Sequence, residues 1–468
     1  SDGQVLTSTG AGSPPAFEDV AAGLTSDGTG NTVGGANAGD AFTGTDGADA
    51  ANNTLIGYDA GTGITSGDLN VAIGMSANVT GTTGGENTAV GAAALRYSGP
   101  SATLNTAIGR SALHSSVSGS TGELTGSYNT AVGASSLYAN TSGASNVAVG
   151  YQALDACTTG GKNTAVGRGA LTTVTGVGEA TALGYYALSG NTTGERNTGL
   201  GVEAGSTNSN EHDNVFIGYK AGNSNNNAAN TLIGSNAALY MDTGGYNVAV
   251  GYKALRCASG SATHPDNNVA IGNNAMYSAT EANENVAVGG NALYDVTTGS
   301  ENVALGRLSL SNVLAGGRNT AAGYNSGLAV TTGGNNVCIG FQAGAEITEG
   351  DNNVCIGTNA AVSQLTTADN ELWIARSNDN KGNDPVWLYG NHYGEIINGN
   401  NGTAFSQTSD VRLKKNITDS SKGLAEIDQL KIRNFEYKEE SEIDMSEFPK
   451  ADGPHQVVLC KSKKGKVQ

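Results

Sequence analysis

Aliphatic and polar positions recur along this chain in a frame of seventeen residues, clearest from Asn146 to Lys162, NVAVGYQALDACTTGGK, after which Asn163 opens the next copy. Units of the form N-x-x-[VIL]-G open at residues 53, 70, 87, 105, 129, 146, 163, 180, 197, 214, 230, 247, 268, 285, 302, 319, 336 and 353. Of the seventeen intervals between them, thirteen are seventeen residues long. The first position is Asn in every unit except the one opening at Ala180, and the fifth is Gly in all, from Gly57 to Gly357. A period this strict predicts stacked turns of one solenoid.

Within a unit the second position is Thr or Val, the third usually Ala, and the fourth Val, Ile or Leu, an alternation that predicts a short strand with two faces. The fourth position, aliphatic everywhere except at Ala322, is expected to face the core. The third, small except at residues such as Phe216 and Leu232, is expected to face a neighbouring subunit. Gly at the fifth position permits a sharp corner, and x-x-Ala-Leu, as in Tyr151 to Leu154, predicts a second short strand before T-T-G-G turns the chain back. The stacked Asn either form an amide ladder along the axis or cap the local turn. At ~4.8 Å per rung, eighteen rungs make a rod of roughly 85 Å. So thin a rod buries little core alone, and a trimer would cover its faces without leaving an open sheet.

The period slips mainly between Asn105 and Asn129 and between Asn247 and Asn268, so residues His114 to Tyr128 and Cys257 to Asn267 are expected to protrude as loops, placed either for recognition or as harmless drift in a repeat array. The residue after the fixed Gly is aromatic in seven units: Tyr58, Tyr151, Tyr185, Tyr219, Tyr252, Tyr324 and Phe341. The six tyrosines are candidates for stacking on sugar rings, and packing at the edge of the roll is the plainer alternative. Residues 1–52, with a degenerate repeat at Asn31 to Gly35, are expected to form an irregular lead-in; 53–374 the repeat shaft; 375–408 a neck with a small aromatic plug around Trp387; and 409–468 a separate unit. In that unit Ser421 is placed to cap a short helix and Ile432 to Tyr437 alternates as a strand.

The chain has 468 residues, 70 of them Gly, and a net charge of -18, yet residues 409–468 hold 12 of the 24 Lys and Arg and 11 of the 42 Asp and Glu. The rest is therefore acidic and carries no basic stripe, which disfavours nucleic acid and anionic membrane as partners. No apolar run is long enough to span a bilayer, and the missing initiator Met suggests a fragment or processed product. Five cysteines show no C-x-x-C or Cys/His clustering, so no metal site, cofactor or disulfide framework is expected. Cys338 and Cys355 share one repeat position and should stack as small buried side chains.

The repeats resemble the heads of trimeric autotransporter adhesins, whose N-S-V-A-I-G-like units form trimeric parallel β-rolls, and still more the N-T-A-V-G-x-x-A-L arrays of phage tail fibres. The stretch from Ser409 to Ile417, SDVRLKKNI, is similar to the opening of the endosialidase-type intramolecular chaperone domain. That resemblance implies a domain that drives trimerisation and then releases itself, with Ser409 as nucleophile, Lys414 as its base and Thr408-Ser409 as the scissile bond. A G-x-I-A-Q-E-like element of that domain is absent from this chain. His455 and Asp452 have no repeated geometry and read as loop residues.

The resulting expectation is an all-β parallel β-roll, or solenoid, of about eighteen seventeen-residue rungs, homotrimeric, with a small α+β C-terminal segment. It would serve as a virion fibre, extracellular when acting. Its partners would be itself, other virion tail proteins and a host cell-surface glycan or protein receptor, met multivalently. A bacterial adhesin head would call for a coiled-coil stalk and membrane barrel that this sequence lacks. A polysaccharide-degrading tailspike would need paired carboxylates in a groove, and no rung repeats them. Irregular Thr at the second position argues against an ice-binding face, and missing G-G-x-G-x-D nonapeptides against a calcium roll. The one reaction in view is self-cleavage by Ser409 and Lys414, with a structural or vestigial role for that stretch as the alternative.

Overall fold

The computed structural model describes residues 24–26, 28–41, 50–115, 123–257, 265–361 and 366–375, with short strands at 5–7, 16–18, 386–390, 396–398 and 403–404. Each of the eighteen repeats contributes one three-residue strand, from Thr54–Ile56 to Val354–Ile356, and each strand pairs in parallel with its sequence neighbours in matched register, as Val147↔Thr164 and Ala148↔Ala165. One further rung lies at either end: Thr32–Gly34, opened by the buried Asn31, and Leu372–Ala375. The fold is an all-β parallel solenoid, and the described residues contain no helix.

The strands face the opposite way from the expectation. Third-position residues such as Ala72, Ala148 and Ala287 are fully buried, whereas fourth-position Ile108, Leu183 and Leu305 are about two-fifths exposed. The first position decides the phase. Its Asn is drawn inward by hydrogen bonds, so the third residue must follow and the second and fourth point out. Ala suits the third position because its own chain, not another subunit, crosses close by: Ala at the eighth position and Leu at the ninth fill the interior.

The expected second strand is instead a tight turn. Residues at the seventh and ninth positions are left-handed, as Gln152 (φ 56°) and Leu154 (φ 53°). Holding a leucine there costs of order 1–2 kcal/mol. Burying its side chain returns about 2–3 kcal/mol, so the turn holds. The corner before it requires Gly: at Gly150 φ is +134°, and an added Cβ would lie 2.6 Å from the Gly167 carbonyl oxygen of the next rung.

Interior volume is conserved across a rung rather than at one position. Where the third residue is large the ninth is small: Leu55 opposes Gly61, Phe216 fits between Gly205 and Gly222, and Cys338 opposes Gly344. Leu188 fills the space beside Gly199, and Phe216, the largest fully buried side chain, fills that beside Gly205 and Gly222. Truncating it to Ala would leave a void worth about 3–5 kcal/mol.

The Asn ladder forms, and it braces the rung as well. Asn146 receives the backbone N–H of Asn163 on Oδ1 (2.9 Å), while its Nδ2 donates to Asn129 Oδ1 (3.1 Å) and to the Gly160 carbonyl across its own rung (2.8 Å). The chain of N–H to Oδ1 bonds runs from Asn31 to Glu371. It has one missing acceptor, at Ala180. Ala180 N–H still reaches Asn163 Oδ1 (3.1 Å), but no side-chain oxygen stands there for Asn197.

Both insertions are shorter than expected. Leu124 is fully buried, and its N–H and carbonyl bond to Tyr97 and Gly99, so the chain has rejoined the rod before Tyr128. Pro265 is likewise buried. The remainder, 116–122 and 258–264, lies outside the described residues. At the C-terminal end Val386–Gly390, Ile396–Asn398 and Thr403–Ala404 fold back as an antiparallel meander on Leu372–Ala375, with Trp373 packed against the core.

Candidate functional site

Three outward rows run along the rod. The first is the strand side, where second and fourth positions expose Thr, Val, Ile and Leu rung after rung. Around the strands Thr181–Leu183 and Thr198–Leu200, Leu183, Tyr185, Leu200 and Val202 are each 38–46% exposed and adjacent. Among the described residues nothing covers this apolar strip.

The second row holds the candidate tyrosines. Tyr58, Tyr151, Tyr185, Tyr219, Tyr252 and Tyr324 all stand at the corner after the strand, exposed by 39–55%. Because rungs stack, much of each ring faces its axial neighbours. Arg168 lies between Tyr151 (5.7 Å) and Tyr185 (5.8 Å), Tyr324 stacks on Phe341 (5.5 Å), and Arg307 donates to the Tyr324 hydroxyl (3.2 Å). Lys220 and Lys253 sit over Tyr219 and Tyr252. Tyr58 has Met75, 57% exposed, at the same position in the next rung. The six do not converge on one pocket; they form a broken column interleaved with cations.

The third row, at the tenth and eleventh positions, went unread in the sequence. Tyr97 meets His114 edge-on (5.1 Å) and His114 stacks on Tyr138 (4.9 Å). Farther along, the Arg256 guanidinium is sandwiched between Tyr240 (4.7 Å) and Tyr277 (5.0 Å), and Tyr277 stacks on Tyr294 (5.0 Å). Each stack spans the rung in which the repeat length slips. The signal was available, since these aromatics and Arg256 fall at equivalent positions of successive units.

Titration follows burial. His114 donates from Nδ1 to the Ser115 carbonyl (2.9 Å), and desolvation, aided by Arg96, holds its pKa below the ordinary 6.5 against the pull of that bond. Cys157 is pushed up to about 11 by burial. Cys338 and Cys355 lie in register on adjacent strands as free, buried thiols, and the hydrogen bond between them with burial raises Cys355 further, leaving it an inert packing residue. Ser409 and Lys414, the candidate self-cleavage pair, lie outside the described residues, as do His455, Asp452 and the expected helix after Ser421.

No curated protein matches the chain. Residues 409–452 match the family model described as chaperone of endosialidase, and a parallel β-solenoid followed by that domain fits a phage tail fibre or tailspike-type protein.

Proposed function

We propose that this chain is the structural, receptor-binding fibre of a phage virion: a homotrimer whose three rods meet through their strand sides, which attaches to a host cell-surface glycan. The observation that carries the reading is the aliphatic strip that the described residues leave uncovered, repeated in every rung but the one with Ala322 and running past Leu183 and Leu200. A face that recurs at each rung is matched in spacing by a second copy of itself. Attachment through three copies needs no tight single pocket.

The domain at 409–452 serves assembly and then leaves. Lys414 takes the Ser409 hydroxyl proton as Oγ attacks the Thr408 carbonyl, the proton passes to the departing Ser409 amine, and water hydrolyses the resulting ester. A Lys acts as base when burial in an assembled trimer lowers its pKa, so cleavage waits on assembly and the released rod stays kinetically trapped. Intact mass of the purified protein, denatured and then native, tests both steps. A chain ending at Thr408 with a native mass of three such chains is expected, and Lys414→Ala should leave the chain uncut. A stable folded monomer would overturn the fibre reading.

A further inference from the structure

We infer that the rod carries, where its second and third outward rows meet, a binding patch for an acidic saccharide, built on Lys253, Arg256 and the tyrosines around them. The inference rests on the glycan-attachment reading and places the contact at one point of the tyrosine column, Tyr252, rather than along its length. The physical argument begins with how the rod pairs its charges. Of the ten Lys and Arg between residues 53 and 375, Lys162, Arg196, Lys220 and Arg318 make ion pairs with carboxylates. Among the described residues the other six, Arg96, Arg110, Arg168, Arg307, Lys253 and Arg256, do not, and of these Lys253 and Arg256 stand together. Both converge on one ring: the Arg256 guanidinium lies 5.0 Å and the Lys253 ammonium 6.0 Å from the centre of Tyr277.

Two like charges gathered without a counter-ion repel each other, and a ring quadrupole offsets only part of that cost. An anion would offset the rest. Arg256 is also pre-organised: its guanidinium is sandwiched by Tyr240 and Tyr277 and tied through Nη1 to the Tyr277 hydroxyl (3.0 Å), so little side-chain entropy is lost when its remaining N–H groups engage a carboxylate or sulfate. Tyr252, 46% exposed beside Lys253, gives an apolar surface for the body of a sugar. The surrounding rod is acidic, so a polyanion is repelled elsewhere along it and adventitious binding is suppressed.

The test titrates the full-length protein with oligogalacturonate, which carries carboxylates, with dextran sulfate, and with neutral dextran, at low and at physiological salt. Binding of at least one acidic glycan, no binding of neutral dextran, and weakening by salt are expected. Lys253→Gln with Arg256→Gln should lower affinity about tenfold or more. Arg168→Gln, which removes a ring-bound cation from a distant part of the tyrosine column, should leave it unchanged. Lys253→Glu alone keeps the Tyr240 and Arg256 stack and its melting temperature, and should still abolish binding. Failure of wild type to bind either acidic glycan, or undiminished binding by the Lys253 and Arg256 variants, overturns the patch. Native mass on the same samples separates the two ideas: a trimer that binds neither probe removes the patch alone, whereas a monomer removes the fibre reading and leaves the titration to decide the patch.

Discussion

On the strand side, Val147, Val149, Thr164 and Val166 give way to near copies of themselves in the next rung, while on the turn side the tenth and eleventh positions pass from Asp155 and Ala156 to Tyr294 and Asp295 within the same rod. Both sides rest on the same backbone, with the same parallel bonds between rungs. They differ in what selection of side chains the fold tolerates. A face that repeats at every rung cannot mark a place along the axis, so it suits association over the whole length. A feature that occurs once, such as the stack from Tyr240 to Tyr294, can mark a place.

The comparison breaks first on the strand side. Leu183→Glu combined with Leu200→Glu places two carboxylates per chain in the most exposed part of the strip, where Leu183 is 46% and Leu200 38% exposed. If the strip lies between copies, each change loses roughly 1.5–3 kcal/mol of burial and adds a desolvated charge, and the trimer should dissociate. Native mass or sedimentation reads the result. Thr159→Glu, at an exposed turn position, should leave the assembly intact. A trimer that survives the double change would mean the copies meet elsewhere.

A smaller effect, of opposite sign, sharpens the view of the repeat as an interior ladder. Ala180→Asn supplies the missing acceptor for the Asn197 backbone N–H, and an Asn there can also donate to the Gly194 carbonyl, as Asn129 does to that of Gly143. Asn191, already bonded to Gly194, is no obstacle, because Asn129 coexists with Asn140 in the same arrangement. Satisfying one buried donor should stabilise the rod by about 1–2 kcal/mol, seen as a higher denaturation midpoint. No gain would mean that the N–H of Asn197 is already satisfied by water.

How much of this was legible follows from which physical cue each residue carries. The period, the parallel stacking and the corner at the fifth Gly could be read directly, because Gly57 to Gly357 recur without exception and only Gly relieves that backbone. The phase of the strand was misread through size. Small Ala148 and Ala287 suggest close approach by another subunit, whereas the close approach is by their own turn. Asn at the first position, buried and bonded, held the answer, but an Asn carries no inward or outward sign until its partners are known. The turn in place of a second strand had a visible trace: Gly61, Gly205, Gly222, Gly327 and Gly344 stand where other units have Leu, and all are left-handed. The aromatic stacks carry a weaker cue, because they hold equivalent positions in only three or four successive units and do not recur along the rod.

The smallest effect tests that aperiodic side. His114, held between Tyr97 and Tyr138, has its folded pKa lowered, chiefly by burial. Below the ordinary value of 6.5 the unfolded chain takes up a proton that the folded one resists, so the contribution of this group is complete above 6.5 and is lost as the pH falls from there toward the depressed folded value. Above 6.5 neither state holds the proton and the term is flat. The melting temperature should therefore decline on acidification through this window by less than Ala180→Asn adds. His114→Phe keeps a ring in the stack and removes the titration, so the difference between variant and wild type should vanish at neutral pH and open as the pH falls. Groups away from the stack are the same in both proteins and cancel in that difference. A difference that stays constant with pH would show that the ring, and not its proton, is what the stack uses.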